Sequence, residues 1–160
     1  MATLTIRPLA PEDGTTAADI FFDAVHNGTA DVYTEEQRRA WAGTAPNQKG
    51  WRQRFQDIAG YAAEIDGAMV GFMTLDADGY IDLAFVRSDV SGKGIGQTPY
   101  RQVENQAVSQ GIPKLTTEAS QKARPFFARF GWHLDKEQVV AKDEISLTNF
   151  KMSKLLAEKG

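Results

Sequence analysis

The chain has 160 residues, a formal net charge of −3 and 42% hydrophobic residues, as expected of a globular protein with no basic surface for nucleic acid. The absence of cysteine excludes disulfides and thiolate chemistry, and the two histidines, His26 and His133, lie too far apart in sequence to suggest a zinc site. No apolar run approaches the ~20 residues of a membrane span, and residues 1–7 alternate like a strand and lack the apolar core expected of a signal peptide. We therefore expect one cytoplasmic domain over residues 1–160, without a metal, nucleic-acid or membrane partner.

The first half of the chain predicts a strand, three helices and a β-hairpin. In chain order these are a strand (4–9), helices (12–26, 34–42 and 51–58) and the two hairpin strands (61–65 and 69–75). Thr34 and Gln37 have the spacing of a capping box, which predicts a helix start there. Asp66-Gly67 is typical of a tight hairpin turn. The polar segment 44–50 is predicted to be a surface loop.

The second half alternates strands and helices. The predicted elements are strands (80–86, 114–119, 133–140 and 145–152) and helices (94–110 and 121–130), with a turn at Asp143-Glu144. A helix between strands 80–86 and 114–119 requires a crossover, so this pair of strands is parallel. We expect an α/β (α+β) fold with a mixed central sheet of about seven strands and helices on both faces.

A glycine-rich loop between strand 80–86 and the following helix is the clearest functional signal. It reads Ser91-Gly92-Lys93-Gly94-Ile95-Gly96. Alternate glycines let backbone N–H groups converge on one anion at the N-terminus of a helix. A nucleotide P-loop needs a lysine after its last glycine, whereas Lys93 precedes Gly94. A dinucleotide fingerprint fails because Gln97 and Pro99 occupy the positions of its third glycine.

The alternating glycines instead resemble the pyrophosphate-binding loop of the GNAT family of N-acetyltransferases, and two later segments strengthen the resemblance. Glu118-Ala119-Ser120 ends a strand as in that family, and the segment 123–132, Ala-Arg-Pro-Phe-Phe-Ala-Arg-Phe-Gly-Trp, follows its helix motif. The order of elements fits the family over residues 4–152. Residues 24–26 and 33–42 resemble the bacterial YafP-like branch.

The resemblance implies an enzyme that moves an acetyl group from acetyl-CoA to an amine of a small molecule or peptide. Homodimers are common in the family, so the resemblance allows one here. The strand over 83–86 would pair with the pantetheine arm, and one of its amides would polarise the thioester carbonyl. The implied CoA-binding residues are Phe85, Val86, Ser91, Gly92, Lys93, Gly94, Ile95, Gly96, Gln97, Ser120, Arg124 and Phe127.

Acetylation requires a deprotonated amine, so a general base is expected near the acceptor. Candidate bases are Asp82, which interrupts an apolar strand, Glu118 at the end of the next strand, and Glu64. Tyr33 is predicted to line the acceptor pocket. Many family members protonate the leaving thiolate with a tyrosine, but that position here is Phe127. The proton would then come from Tyr33, Tyr100 or water, or the thiolate would leave unaided.

Two further departures bear on activity. Ser91 replaces the arginine or glutamine that usually begins the loop. Pro99 lies where its ring would clash with a helix that began at Ile95, which predicts a distorted first turn or a later helix start. Phe127 and Pro99 also favour an alternative function, a non-catalytic acyl-CoA-binding or sensor domain of the same fold.

Overall fold

The computed structural model describes residues 2–142 and 144–156. Among them the strands are β1 (Leu4–Pro8), β2 (Gly60–Ile65), β3 (Ala68–Thr74), β4 (Tyr80–Ile81), β5 (Ala84–Val86), β6 (Lys114–Ser120), β7 (His133–Lys142) and β8 (Ile145–Leu155). The α-helices are α1 (Gly14–His26), α2 (Glu35–Ala42), α3 (Gln48–Arg54), α4 (Gln97–Ser109) and α5 (Arg124–Arg129). Within these described ranges, the helices are too short or too polar to cross a bilayer.

The strands form two four-stranded sheets. In the first, the order is β1-β2-β3-β5 and all neighbours are antiparallel. In the second, the order is β4-β6-β8-β7, and β4 runs parallel to β6 because α4 carries the chain across between them. The predicted crossover and the mixed α/β fold are confirmed, but the eight strands of the described residues form two four-stranded sheets rather than one central sheet of about seven strands.

The continuous strand predicted over 80–86 is wrong, because the chain changes sheets at Asp82-Leu83. Tyr80 and Ile81 pair with β6, whereas residues 84–86 pair with β3. The side chain of Thr74 stabilises the switch: its Oγ1 accepts a hydrogen bond from Leu83 N at 3.0 Å, while Thr74 N donates to Leu83 O at 2.9 Å. The two sheets therefore diverge after Ile81.

Local signals in the first half are confirmed. Gln37 N donates to Thr34 Oγ1 at 3.2 Å and Thr34 N donates to Gln37 Oε1 at 2.8 Å, which completes the capping box of α2. Asp66 and Gly67 both have positive φ, 51° and 86°, as a two-residue type I′ hairpin turn requires. In the predicted turn at 143–144, Glu144 has a φ of 68°, and Asp143 lies outside the described residues.

Several helix boundaries differ from the prediction. Residues 48–50 of the predicted loop 44–50 belong to α3, since Asn47 Oδ1 accepts a hydrogen bond from Gly50 N and caps that helix, and α3 ends at Arg54 rather than at residue 58. Helix α4 begins at Gln97 rather than Gly94. Pro99 is its third residue, where no intrahelical N–H partner is needed, so the later start that Pro99 predicts is confirmed. Helix α5 begins at Arg124, later than predicted.

Two apolar layers cover opposite faces of the sheets. One layer packs α1 and α3 on β2 and β3, and its largest buried members are Ile20, Trp51, Phe55 and Phe72. The other packs α4 and α5 on β6 and β8, and it includes Tyr100, Val103, Leu115, Phe127 and Phe150. Burial of these side chains supplies the main stabilisation. A cleft opens between the two layers.

Candidate active site

A wedge-shaped cleft opens where β5 and β6 diverge. In an antiparallel pair, the N–H and C=O of one residue point to the same side and the direction alternates along the strand. Leu83 O and Arg87 N bond to β3, so Phe85 also faces β3. The N–H groups of Ala84 and Val86 therefore face the cleft. Both the Phe85 and the Val86 amide were candidates to pair with the pantetheine arm. The N–H of Val86 faces the cleft, whereas the N–H of Phe85 faces β3 and only its ring lines the cleft.

Two cavities meet in this cleft. The narrow cavity, of about 180 Å³, lies between β5, the glycine loop and α5. The wide cavity, of about 660 Å³, lies between α1, α2, α3 and the ends of β4, β6 and β8. Both are lined by Trp41, Ala84, Phe85, Ser120, Ala123 and Phe127. These six shared residues form the junction between the narrow cavity and the wide cavity.

The glycine loop leaves main-chain donors unpaired at the start of α4. Gly92 and Gly94 have φ values of 79° and 77°, which favour glycine, and the space beside each Cα is open. Among the described residues, no backbone N–H of residues 92–97 donates a hydrogen bond to another main-chain oxygen. These donors lie at the positive end of the α4 dipole, an arrangement that suits a phosphate group. Lys93 is exposed beside them.

Asp23 of α1 anchors the segment that leads into the loop. Its carboxylate accepts hydrogen bonds from Ser88 N at 2.7 Å and from Ser88 Oγ at 2.8 Å, and Asn27 Nδ2 donates to it at 2.8 Å. Burial opposes ionisation of Asp23, but the hydrogen bonds from Ser88 and Asn27 outweigh it and lower the pKa of this carboxyl. The sequence showed no signal for this contact, which spans 65 residues.

The remaining predicted CoA-binding residues occupy different environments. Ser91 and Gly96 line the narrow cavity, and Ser120 and Phe127 line both cavities. Ile95 is buried beneath the loop against Val70. Arg124 is exposed and its guanidinium lies 4.5 Å from the centre of the Phe150 ring.

The three candidate bases differ in their partners. Glu64 forms an ion pair with Arg7 at 3.0 Å and is absent from the lining of both cavities. Asp82 lines the wide cavity and forms an ion pair with Arg54 at 2.5 Å. Glu118 lines the same cavity and forms no salt bridge within the described residues. Glu118 is therefore the carboxylate with the freest oxygens.

The hydroxyl groups of Tyr33 and Tyr100 already form hydrogen bonds within the protein. Tyr33 lines the wide cavity, but its hydroxyl donates to Thr148 O at 2.7 Å and accepts from Gln121 N at 2.9 Å. Tyr100 is buried, where its hydroxyl bonds to Glu104 and accepts from Trp132 Nε1.

Sequence reasoning missed Tyr80 and Asn149, which both line the wide cavity. Burial, together with Glu118, Asp82 and Asp76, raises the pKa of Tyr80 to about 12, so its hydroxyl keeps its proton at neutral pH. Its position two residues before Asp82, on one face of an extended chain, was the available signal. Asn149 lies in the last strand, and nothing in the sequence distinguished it.

The chain is similar to known proteins in both sequence and structure. The family model described as an acetyltransferase (GNAT) domain matches residues 29–154. An N-acetyltransferase of Escherichia coli K12, YafP, is 28% identical over 152 residues, which are 95% of this chain and 96% of that protein. A GCN5-related N-acetyltransferase structure from Rhodopseudomonas palustris shows 34% identity and a TM-score of 0.88, covering 96% of each chain. PaiA N-acetyltransferase of Thermoplasma acidophilum, solved in complex with coenzyme A, shows 19% identity and a TM-score of 0.73, covering 96% of this chain and 99% of that one.

Proposed function

Because the chain belongs to the GNAT family of N-acetyltransferases, we propose that it binds acetyl-CoA in the cleft between β5 and β6 and acetylates an amine held in the wide cavity. We propose that one domain over residues 1–160 carries this activity. The unbonded amides of residues 92–97, at the N-terminus of α4, are the observation that carries the proposal. The coenzyme A complex of the PaiA relative supports the choice of ligand.

The chain offers a separate group for each part of the ligand. The amides of the glycine loop hold the pyrophosphate, with Lys93 and Arg124 as cationic neighbours. The free N–H groups of Ala84 and Val86 pair with the pantetheine arm as an added strand would. Because the narrow cavity runs from Gly96 to the junction at Ser120, the thioester lies at the junction.

Acetyl-CoA supplies an activated acetyl group, and the residues of the wide cavity prepare the amine that receives it. In the transfer, a C–N bond forms as the C–S bond breaks, the amine loses a proton, and CoA leaves as its thiol after gaining one. Glu118, which has no salt-bridge partner in the described ranges, takes the proton from the amine directly or through water. Arg54 holds Asp82 in place beside it.

Phe127 cannot donate a proton to the departing sulfur. Ser120 lines both cavities, and its Oγ accepts a hydrogen bond from Ala123 N at 3.1 Å, which leaves its hydroxyl proton free to point at the sulfur. A thiol with a pKa of ~8.5 is in any case a tolerable leaving group at neutral pH. The absence of a tyrosine here is therefore compatible with turnover. A cytoplasmic location and a homodimer remain predictions.

Calorimetric titration with acetyl-CoA tests the binding half of the proposal. Gly94→Val should weaken binding at least about tenfold, because a side chain at positive φ strains the loop and redirects its amides. Gly111→Val is the matched control, since Gly111 has a φ of 73° and equally open space but lies beyond the far end of α4. Equal losses in the two variants, or binding of ATP in place of acetyl-CoA, would overturn the assignment.

Release of free thiol in the presence of a panel of primary amines tests the catalytic half. We expect amine-dependent thiol release by the wild-type protein. Tight acetyl-CoA binding without release for any amine would instead support the sensor alternative.

A further inference from the structure

The wide cavity combines an aromatic wall with one buried polar atom that has no partner. The aromatic wall consists of Phe21, Tyr33, Trp41, Trp51 and Phe85, and all five line the cavity. Neighbouring rings in it are in contact, with centroid distances from 4.9 Å for Phe21 and Trp51 to 6.2 Å for Trp41 and Phe85. Such a surface holds a flat apolar group by burial and by edge-to-face packing.

Asn149 supplies the unpaired polar atom. Its Oδ1 is the buried side-chain oxygen without a hydrogen-bond partner among the described residues. A buried acceptor left unpaired costs free energy, and a hydrogen-bond donor on a ligand in the cavity would remove that cost. Asn149 lies directly across from Ser120 in the β6–β8 register, and Ser120 belongs to the junction between the cavities. The oxygen is therefore close to where the amine must attack.

The charges of the cavity select the form of the amine. Asp82 and Glu118 line the same cavity, near the ends of β4 and β6. Arg54 is occupied twice, by Asp82 at 2.5 Å and by the ring of Trp51 at 5.3 Å, so it is not free to bind a substrate carboxylate. Lys142, the other cation of the lining, lies at the outer end of β7. Because Asp82 and Arg54 neutralise each other and Lys142 lies at the end of β7, the charge that favours a substrate ammonium over a substrate carboxylate is that of Glu118, which has no salt bridge within the described residues.

From these contacts we propose that the acceptor is an arylalkylamine, a primary amine joined by a short chain to an aromatic ring, and that Asn149 Oδ1 accepts a hydrogen bond from its nitrogen. The ring lies against the aromatic wall, and the ammonium enters beside Glu118, which removes one of its three protons. Asn149 accepts from one of the two N–H groups that remain, so that the lone pair faces the junction. As the C–N bond forms and the C–S bond breaks, the nitrogen loses a second proton and the CoA sulfur gains one. This inference rests on the proposed acetyl transfer and names its acceptor.

An acceptor panel tests the substrate class. For 2-phenylethylamine we expect kcat/KM at least about tenfold above that for n-butylamine, which lacks the ring, because an aromatic ring gains that much on burial. We expect a similar margin over L-phenylalanine, which adds a carboxylate. A preference for n-butylamine, spermidine or L-phenylalanine overturns the inference while leaving acetyl transfer intact. Loss of acetyl-CoA binding and of all thiol release would instead refute the proposed function.

Asn149→Leu tests the role of the oxygen. We expect KM for 2-phenylethylamine to rise about tenfold, KM for acetyl-CoA to stay within about twofold, and the melting temperature not to fall, since an unpaired buried polar group is removed. Asn149→Asp keeps an acceptor oxygen and should retain a low amine KM. Gln138→Leu, at the facing position on β7, is the matched control. An unchanged amine KM in Asn149→Leu, or equal rises in both KM values with a lower melting temperature, overturns the assignment.

If no amine is turned over, calorimetry of 2-phenylethylamine with the CoA-saturated protein decides the matter. Binding that weakens in Asn149→Leu but not in Gln138→Leu supports the acceptor site. Absence of binding overturns it.

Discussion

Asp23 and Ser88 connect α1 to the glycine loop through two hydrogen bonds, from Ser88 N at 2.7 Å and from Ser88 Oγ at 2.8 Å. Both groups belong to the turn that sets the direction of the chain before Ser91. The helix that forms one wall of the wide cavity thus also positions the amides of the glycine loop. A change in α1 is therefore expected to alter the proposed binding of acetyl-CoA without contacting this ligand.

Asp23→Ala should weaken acetyl-CoA binding about 5- to 30-fold, because Ser88 N loses its acceptor and the loop loses its anchor, a cost of about 1–2 kcal/mol. Calorimetric titration measures the change. Asp19→Ala is the control, since Asp19 lies on the same helix, is exposed and bonds only to Gln48 in the described residues. Unchanged affinity in Asp23→Ala would show that the loop needs no anchor.

Glu118→Gln should lower kcat by roughly 100-fold, because the amide cannot take a proton from the amine. Asp82→Asn should lower it less, since Asp82 is already engaged with Arg54. The measurement is kcat from steady-state kinetics at saturating acetyl-CoA and saturating amine. Glu137→Gln on the exposed side of β7 serves as the control. A larger loss in Asp82→Asn would assign the base to Asp82 instead.

Tyr33→Phe should lower the free energy of unfolding by about 1–3 kcal/mol, because Gln121 N loses a buried acceptor. We expect kcat to stay within about threefold, since the hydroxyl proton is committed to Thr148 O and is not available for general acid catalysis. Urea denaturation and steady-state kinetics measure the two effects. A kcat loss near 100-fold with unchanged stability would make Tyr33 the proton donor after all.

Asp13→Asn should reduce stability at pH 7 by about 1–3 kcal/mol, because Asp13 accepts two hydrogen bonds from Arg7 and one from Ala10 N. The hydrogen bonds from Arg7 outweigh burial and hold the pKa of Asp13 below its ordinary 3.8. The carboxylate therefore stabilises the fold fully above that pH, and its contribution is lost as the pH falls through the lower folded value.

Urea denaturation at several pH values checks this prediction. The difference between wild type and Asp13→Asn should shrink as the pH falls below 3.8. Asp57→Asn, at an exposed position, should show no such change. A difference independent of pH would exclude an ionic role for Asp13.

Short-range features of this protein could be predicted from the sequence. The capping box at Thr34, the hairpin turn at Asp66-Gly67 and the glycine loop are each determined by a few neighbouring residues and their backbone preferences. The crossover between β4 and β6 also followed, because a strand, a helix and a strand in succession have few arrangements. The later start of α4 followed from the steric limits of Pro99.

Long-range features had no such signal. The chain changes sheets at Asp82-Leu83 because Thr74, on another strand, accepts the hydrogen bond of Leu83 N. The loop anchor joins Asp23 to Ser88, and the unpaired oxygen of Asn149 reaches the cleft only because β8 lies beside β6.

The sequence by itself thus determined the fold class, the family resemblance and the glycine loop before α4, since these depend on local order along the chain. Only the tertiary structure decided which carboxylate has free oxygens, where the Tyr33 hydroxyl is committed, and what lines the acceptor cavity. The physical reason is that the chemistry of a side chain depends on its partners, and these partners come from strands and helices far apart in sequence.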